Sequence, residues 1–367
     1  SSQKVLDQFM QDLADAGFQA KVEGYDEILG IACNYNRTEG WLELSQRGMI
    51  DNTLAEFDLT KANPRGVPCT PESCKKLIGT PMPAAEDFDK VRYSKFRSML
   101  GVVAYIALWT KPELMFPVSL VSAYMSNPSQ VAFDFLVDIL LYLKGVRDIP
   151  FRLTRQAEAD QQDCAVMFSD ASLGNRQERR SQSCWLAFFF GNLIAWNSRY
   201  QPAVALSVAE SEFMALAAAG QFACWFIREI NELGFNKLDP VKIFSDSQSA
   251  VHIAHNPNFN KFTRHIDTRF EWIKQAVLRR VIRPLFTRSA SNYSDIGTKS
   301  LYKQHFVDIM KVLVGMKKPV IKTIGECEEF EQKVIKSSGN VSNNSLESLS
   351  FDIDHKAWIH SALYRPE

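Results

Sequence analysis

The chain carries no excess of charge of either sign. Its 42 Lys and Arg residues face 42 Asp and Glu residues, for a formal net charge of zero at pH 7. A surface basic all over is thereby excluded, and any polyanion-binding face has to come from local patches. Cysteine is sparse and poorly spaced for a framework. The 7 cysteines, at 33, 69, 74, 164, 184, 224 and 327, are odd in number. Only Cys69 and Cys74 are close together, and no His or Cys follows them at zinc spacing. Free thiols in a reducing compartment are the expectation. No apolar run is expected to reach membrane-spanning length, and the first residues lack a secretion-signal pattern. What is present, 46% hydrophobic and 23% charged residues in 367, is the composition of a globular protein with room for two or three domains. The opening in mid-helix style suggests a fragment of something longer.

Apolar spacing predicts a helix over 4–16 (Val5, Leu6, Phe9, Met10, Leu13), closed by Gly17. Strands follow at 18–22, 28–35 and 41–44, with 37–40 as a turn, then a short helix at 50–59. Residues 60–90, rich in Pro, Lys and Asp, read as a long wrapping loop. Three apolar helices over 96–109, 114–125 and 133–144, the last ended by Gly145, make a helical unit. From 163 the pattern turns α/β. It has a strand at 165–170, a hairpin of 185–190 and 193–196 around Gly191–Asn192, and a further extended piece at 204–207. A long helix at 209–233 stops at Gly234. A strand at 241–246 leads directly into a helix. A helix at 266–278, an edge strand at 281–287 and a helix around 293–301 complete the unit. Pro284 puts that strand at the edge because proline cannot donate a ladder bond. After about 315 the pattern thins, and 337–350 is a Ser/Asn-rich linker.

Four successive elements each supply one acid. Asp170 ends the first strand, Glu212 lies early in the long helix, Asp246 ends the central strand and Asp295 opens the last helix. Acids at the carboxyl ends of strands sit in the crevice where α/β sheets do chemistry. Each alone has a plainer reading, Asp295 as a helix cap and Glu212 as part of a solvated face beside Glu210. Together, converging acids repel strongly unless cations share the space. Their hard oxygen ligands suit Mg²⁺ or Mn²⁺. Two such ions about 4 Å apart form the known clamp for in-line phosphodiester displacement.

The flanking residues carry a resemblance. Phe168–Ser169–Asp170–Ala171, Glu212–Phe213–Met214–Ala215 and Asp246–Ser247–Gln248 resemble a ribonuclease H domain. Ile194–Ala195–Trp196–Asn197–Ser198–Arg199, Arg264–His265–Ile266–Asp267 and Asp295–Ile296–Gly297–Thr298–Lys299 are similar to the ribonuclease H end of copia-type retrotransposon Pol polyproteins. Upstream, Leu100–Gly101–Val102–Val103–Ala104–Tyr105, Thr110–Lys111–Pro112–Glu113 and Tyr142–Leu143–Lys144–Gly145 resemble the end of that family's reverse transcriptase and its connection.

The resemblance implies an α/β fold: a ribonuclease H-like mixed five-stranded sheet with flanking helices over 160–312. It is preceded by the palm end and thumb-like part of a reverse transcriptase (1–90) and a helical connection (91–150), and followed by a polar tail (313–367). It implies Asp170, Glu212, Asp246 and Asp295 as catalytic residues and ligands of two Mg²⁺ ions, with Mn²⁺ as substitute. Glu212 is preferred to Glu210 on its Glu–Phe–Met–Ala context. The implied reaction is hydrolysis of the RNA strand of an RNA/DNA hybrid, with the rest of the Pol polypeptide or a reverse-transcriptase subunit as a further partner and no membrane.

There are departures. The polymerase's Asp–Asp pair is absent, so no DNA synthesis is expected from this chain alone. That absence favours the alternative, a non-catalytic nucleic-acid-binding remnant keeping the fold, whereas the intact acid quartet favours the enzyme. An integrase-like nuclease would need a different acid pattern. Cys184 stands where the family usually has Gly, and Met49 where it often has Tyr. Ser289–Ala290–Ser291 stands where ribonucleases H carry a mobile-loop histidine, and His265 lies too early to replace it.

The basic residues Lys261, Arg264, Arg269, Lys274, Arg279, Arg280, Arg283 and Arg288 are opposed only by Asp267 and Glu271 between them. Such a run suits contacts to phosphates, which position without reading sequence. A solvated helix face is its plainer reading. Arg176, Arg179 and Arg180 form a second patch. Trp196, Trp225 and Trp272 are expected in the core.

Overall fold

The computed structural model describes residues 2–18, 26–155, 164–174, 180–234, 240–256 and 272–320. Helix α1 (Ser2–Asp15) is followed by three antiparallel strands, β1 (Glu27–Ile28), β2 (Ile31–Asn36) and β3 (Trp41–Ser45). Then come α2 (Arg47–Glu56), α3 (Pro71–Gly79), α4 (Lys90–Trp109), α5 (Met115–Ser122) and α6 (Gln130–Val146). Strand β4 (Phe151–Thr154) returns to pair with β3, closing a four-stranded sheet. The second part runs β5 (Ala165–Ser172), β6 (Gln182–Phe189), β7 (Asn192–Tyr200), α7 (Val208–Glu232), β8 (Val241–Ser245), α8 (Gln248–His255), α9 (Trp272–Leu278), β9 (Ile282–Phe286) and α10 (Lys303–Leu313). Its five strands lie in the order β7-β6-β5-β8-β9. β5, β6 and β7 are antiparallel, while β5–β8 and β8–β9 are parallel. This is the ribonuclease H-like mixed sheet with flanking helices that the resemblance implied.

Strand alternation decides where the core sits. Successive side chains of a strand point to opposite faces. Val166 and Phe168 of β5, with Phe188 and Phe244, join a cluster that runs on through Phe96, Met99, Leu136 and Ile139 of the helices. Ala165, Met167, Val241 and Ile243 face the other way, onto Phe213, Leu216 and Ala217 of α7 and Ile273 of α9. Polar contacts tie the helices to the sheet. The Trp196 indole donates to the Ala107 carbonyl at 3.0 Å, and Gln182 Nε2 donates to Ser119 Oγ at 3.1 Å.

Several expectations change in detail. The segment 28–35 is two strands, because Leu29 and Gly30 both adopt left-handed φ, 54° and 76°, and turn the chain into a hairpin. The loop 60–90 contains α3, which starts with Pro71 after Thr70. The Thr70 and Ser73 side chains each accept from the other's backbone N–H, a capping box whose signal lay in the sequence. Gly145 does not end α6. It lets the helix approach the 64–65 backbone, where a Cβ would stand 3.3 Å from the Arg65 carbonyl. Residues 204–207 form no strand, since Ser207 caps α7. The expected helix 293–301 is a 3₁₀ turn, Tyr293–Gly297. Residues 19–22 of the expected strand, 266–271 of the expected helix and the tail beyond 320 fall outside the described residues, while Trp272–Leu278 is helical as expected. On α1, Val5 and Phe9 are exposed.

Contrary to the expectation from the sequence, α7 is by length and composition long and apolar enough to cross a membrane. More than half of its most apolar window is buried inside the molecule.

Lys111 shows how the helical part is locked. It is buried, and its ammonium donates to the Val146 carbonyl at 2.9 Å and the Ile149 carbonyl at 2.6 Å, just where α6 ends. Its charge also faces Glu113, which is buried and accepts from Tyr142 Oη at 3.1 Å. Replacing Lys111 with Met strands two carbonyls and leaves Glu113 without its cation. A loss of about 2–4 kcal/mol in urea unfolding is expected. A loss below about 0.5 kcal/mol would contradict this account of the lock.

Candidate active site

The site is built where β5 and β8 run side by side. Phe168 is level with Phe244, and continuing that parallel register two residues sets Asp170 level with Asp246. Asp170 has the same parity as Val166 and Phe168, so it points to the face covered by the segment 292–299. Asp246 follows the last residue of β8 and precedes Ser247, the N-cap of α8, whose hydroxyl accepts from Ala250 N at 3.2 Å.

Glu212 comes from the first turns of α7, and the cap of that helix separates the two glutamates. Ser207 Oγ accepts from Glu210 N at 3.1 Å, and Glu210 Oε2 accepts from Leu206 N at 2.7 Å. Glu210 is therefore engaged at the helix start, while Glu212 is buried among the acids. Carboxylate oxygens of Asp170, Glu212 and Asp246 all lie within 4.8 Å of one another.

The segment 292–299 closes the site from the other side. Asn292 Nδ2 donates to the Ser169 carbonyl at 3.0 Å, and Asn292 Oδ1 accepts from Ser294 Oγ at 2.5 Å. This clamp fixes the 3₁₀ turn to the strand that carries Asp170. Thr298 Oγ1 donates to Asp170 Oδ2. Asp295 stands beside this group but outside the three, its Oδ1 2.9 Å from the Lys299 ammonium. Cys184, directly opposite Asp170 on β6, fits because Gly297 has no side chain: a Cβ there would fall 2.2 Å from its sulfur. Burial, and then the nearby Asp170 and Asp295, push the Cys184 thiol well above its usual range. Ser289 Oγ donates to Asp246 Oδ2 at 2.5 Å, so the segment without a histidine still contacts the site. Asn292 carried no signal in the sequence, and Thr298, Lys299 and Ser289 stood there only as neighbours of Asp295 or of the missing histidine, without a contact assigned to them.

Desolvation dominates the electrostatics. Burial, then the charge of Asp295, raises Asp170 to about 7, although Thr298 and Lys299 pull the other way. Burial, then Asp170 and Asp246, raises Glu212 to about 9. Burial also raises Asp295, against the pull of Lys299. Glu212 Oε2 is buried with no hydrogen-bond partner among the described residues. Three converging carboxylates with one orphaned oxygen fit a hard divalent cation.

No family model matches the chain. It is 30% identical over 302 residues to the retrovirus-related Pol polyprotein from transposon TNT 1-94 of Nicotiana tabacum, covering 79% of this chain and 21% of that protein. It is 25% identical over 294 residues to the retrovirus-related Pol polyprotein from transposon RE2 of Arabidopsis thaliana, covering 80% and 19%. The chain is a relative of copia-type transposon Pol polyproteins. It spans about a fifth of the length of these curated relatives. Among solved structures, LC11-RNase H1 in complex with an RNA/DNA hybrid is similar at 15% identity with a TM-score of 0.27, over 36% of this chain and 93% of that one. The fold assignment above rests on strand order and direction.

The Pol-related chain places its basic residues unevenly. Arg280 and Arg180 are exposed, and Arg279 is half-buried. Lys274 is buried on the packed side of α9, so it is not part of an exposed basic face. Arg179, Lys261, Arg264 and Arg269 lie outside the described residues. Of the tryptophans expected in the core, Trp196 and Trp272 are half-buried and pack against its edge, whereas Trp225 is 37% exposed.

The raised carboxyls make stability depend on pH. The stability these groups contribute is fully present below the unfolded carboxylate range, about pH 4, and is lost as pH rises through about 7 for Asp170 and about 9 for Glu212. In EDTA the melting temperature is therefore expected to fall between about pH 5 and pH 9. Glu212→Gln should flatten that fall and melt higher at about pH 8, by roughly 2–4 °C per kcal/mol recovered. Mg²⁺ should raise the wild type more than the variant. A wild-type melting temperature level across this range in EDTA would contradict the account.

Proposed function

We propose that residues 160–312 form a metal-dependent endonuclease that hydrolyses the RNA strand of RNA/DNA hybrids. In this reading 1–90 is the closing part of a reverse transcriptase, 91–150 its helical connection and 313–367 a polar tail. The observation that carries the proposal is the group Asp170, Glu212 and Asp246, with oxygens within 4.8 Å of one another and a buried, unpartnered Glu212 oxygen. The Pol relatives supply the context.

Asp170, Glu212 and Asp246 would hold divalent ions, with Asp295 at the margin of the set. Bound there, Mg²⁺ or Mn²⁺ supplies a water nucleophile at neutral pH and charge stabilisation for the leaving oxygen. The chain's own part is to fix the ligands. The parallel register aligns Asp170 with Asp246, the α7 cap sets Glu212, and the Asn292 clamp seats Thr298 against Asp170. Arg180, Arg279 and Arg280 supply positive charge for the phosphate backbone. On sequence grounds Arg179, Lys261, Arg264 and Arg269 join them. A hybrid would be read by shape and 2′-hydroxyls.

The test is cleavage of a labelled RNA/DNA hybrid with Mg²⁺ or Mn²⁺, by wild type and by Asp246→Asn. The wild type should cut the RNA strand, leaving 5′-phosphates. The variant should lose more than about 100-fold, because removing even a group that only supports a metal ligand costs about 10–100-fold. Tight hybrid binding without cutting by the wild type would support the non-catalytic remnant instead.

A further inference from the structure

Lys299 follows Asp295 by four residues, just past the 3₁₀ turn, with its backbone N–H donating to the Asp295 carbonyl at 3.3 Å. Its ammonium lies 2.9 Å from Asp295 Oδ1, with the lysine side chain 47% exposed and the aspartate 7%. Its charge also acts on Asp170 and Glu212, and it feels Asp246 in return. Among the described residues it is the only cation ion-paired with any of the four acids. The unpartnered Glu212 oxygen is a separate sign that a ligand belongs here, on a residue grouped with Asp170 and Asp246 and not ion-paired with Lys299.

We propose that Lys299 competes for the place of the second divalent ion: it holds Asp295 in the metal-free chain, leaves Asp170, Glu212 and Asp246 to the first ion, and must leave Asp295 before a second ion enters. The proposal rests on the divalent-metal reading above. Charge supports it. Four carboxylates are balanced by two divalent ions alone, so one such ion plus a lysine leaves little net attraction for another. The tether suits the role, since a half-exposed lysine has a flexible stem and a solvent route away from its partner. An arginine or lysine locked in the core could not vacate the position. The effect would be a metal requirement with two separated thresholds, the upper one set by Lys299.

The test uses the full chain as wild type, Lys299→Met and Lys299→Arg, with Mn²⁺ binding followed by the electron paramagnetic resonance of the free ion. The wild type is expected to bind one ion well and a second at least about tenfold more weakly. Lys299→Met should tighten the second ion about tenfold and change the first by less than about threefold, while Lys299→Arg should behave as wild type. Melting adds a reading independent of stoichiometry. In EDTA near pH 8, Lys299→Met should melt below wild type, and saturating Mg²⁺ should abolish the deficit. If Lys299→Met binds both ions as wild type does, or tightens both equally, the competition proposal is wrong and the metal reading stands. If the wild type binds no Mn²⁺, the metal reading itself fails and takes this proposal with it.

Discussion

The structure turns on the cost of keeping carboxylates out of water beside one another. Asp170, Glu212 and Asp295 are all buried, and Asp246 is drawn up to the first two. Burial pushes the three buried acids toward the neutral form, and the charges of their neighbours push further. Left to itself such a group weakens a fold at neutral pH. It is kept because several devices over-determine it. The β5–β8 register sets two of the acids level, the Ser207–Glu210 cap fixes the start of α7 and so the height of Glu212, and Asn292 clamps the 3₁₀ turn to β5. Among the described residues Lys299 supplies the positive charge paired with these acids, on Asp295. The chain's own contacts thus set the geometry of the group, the kind of preorganisation in which electrostatic stabilisation works best.

The helical part preceding the sheet is a second support. The cluster through Phe96, Met99, Leu136 and Ile139 continues without a break into Val166, Phe168, Phe188 and Phe244 of the sheet. Phe168 lies two residues from Asp170 and packs against Phe188, Phe244 and Tyr293. The strand that presents the first acid is thus held by aromatic contacts on the same face. Cys184 and Gly297 show how tightly this region fits. The cysteine that departs from the family pattern is accommodated because its neighbour across the site lacks a Cβ.

Much of this was legible in the sequence because strongly periodic segments leave little choice. The apolar run 165–168 and the long apolar stretch 209–233 gave both elements, though not which side chains face which layer, and the Gly191–Asn192 signal lay at the observed turn between β6 and β7. The four acids were legible by their positions at element ends. The preference for Glu212 over Glu210 was open to a sharper argument: Ser207–Val208–Ala209–Glu210 has capping-box spacing, which engages Glu210 at the helix start. What could not be read were contacts set by tertiary approach. Asn292 reaches Ser169 across 123 positions of chain, and Thr298 reaches Asp170 across 128. Lys274 sat in a basic run, yet its place on the packed side of α9 buries it. The α3 helix lies in a proline-rich stretch whose composition reads as loop, but Pro71 stands at a first helical position, where proline favours the helix.

The central claim is that Asp170, Glu212 and Asp246 form a cation site. The most direct measurement is an anomalous difference map from crystals of the chain soaked in Mn²⁺. The account predicts a strong peak at about 2.0–2.3 Å from carboxylate oxygens of all three residues, Glu212 Oε2 losing its orphan state. Three carboxylates unchanged in saturating Mn²⁺, with no peak between them, would contradict it.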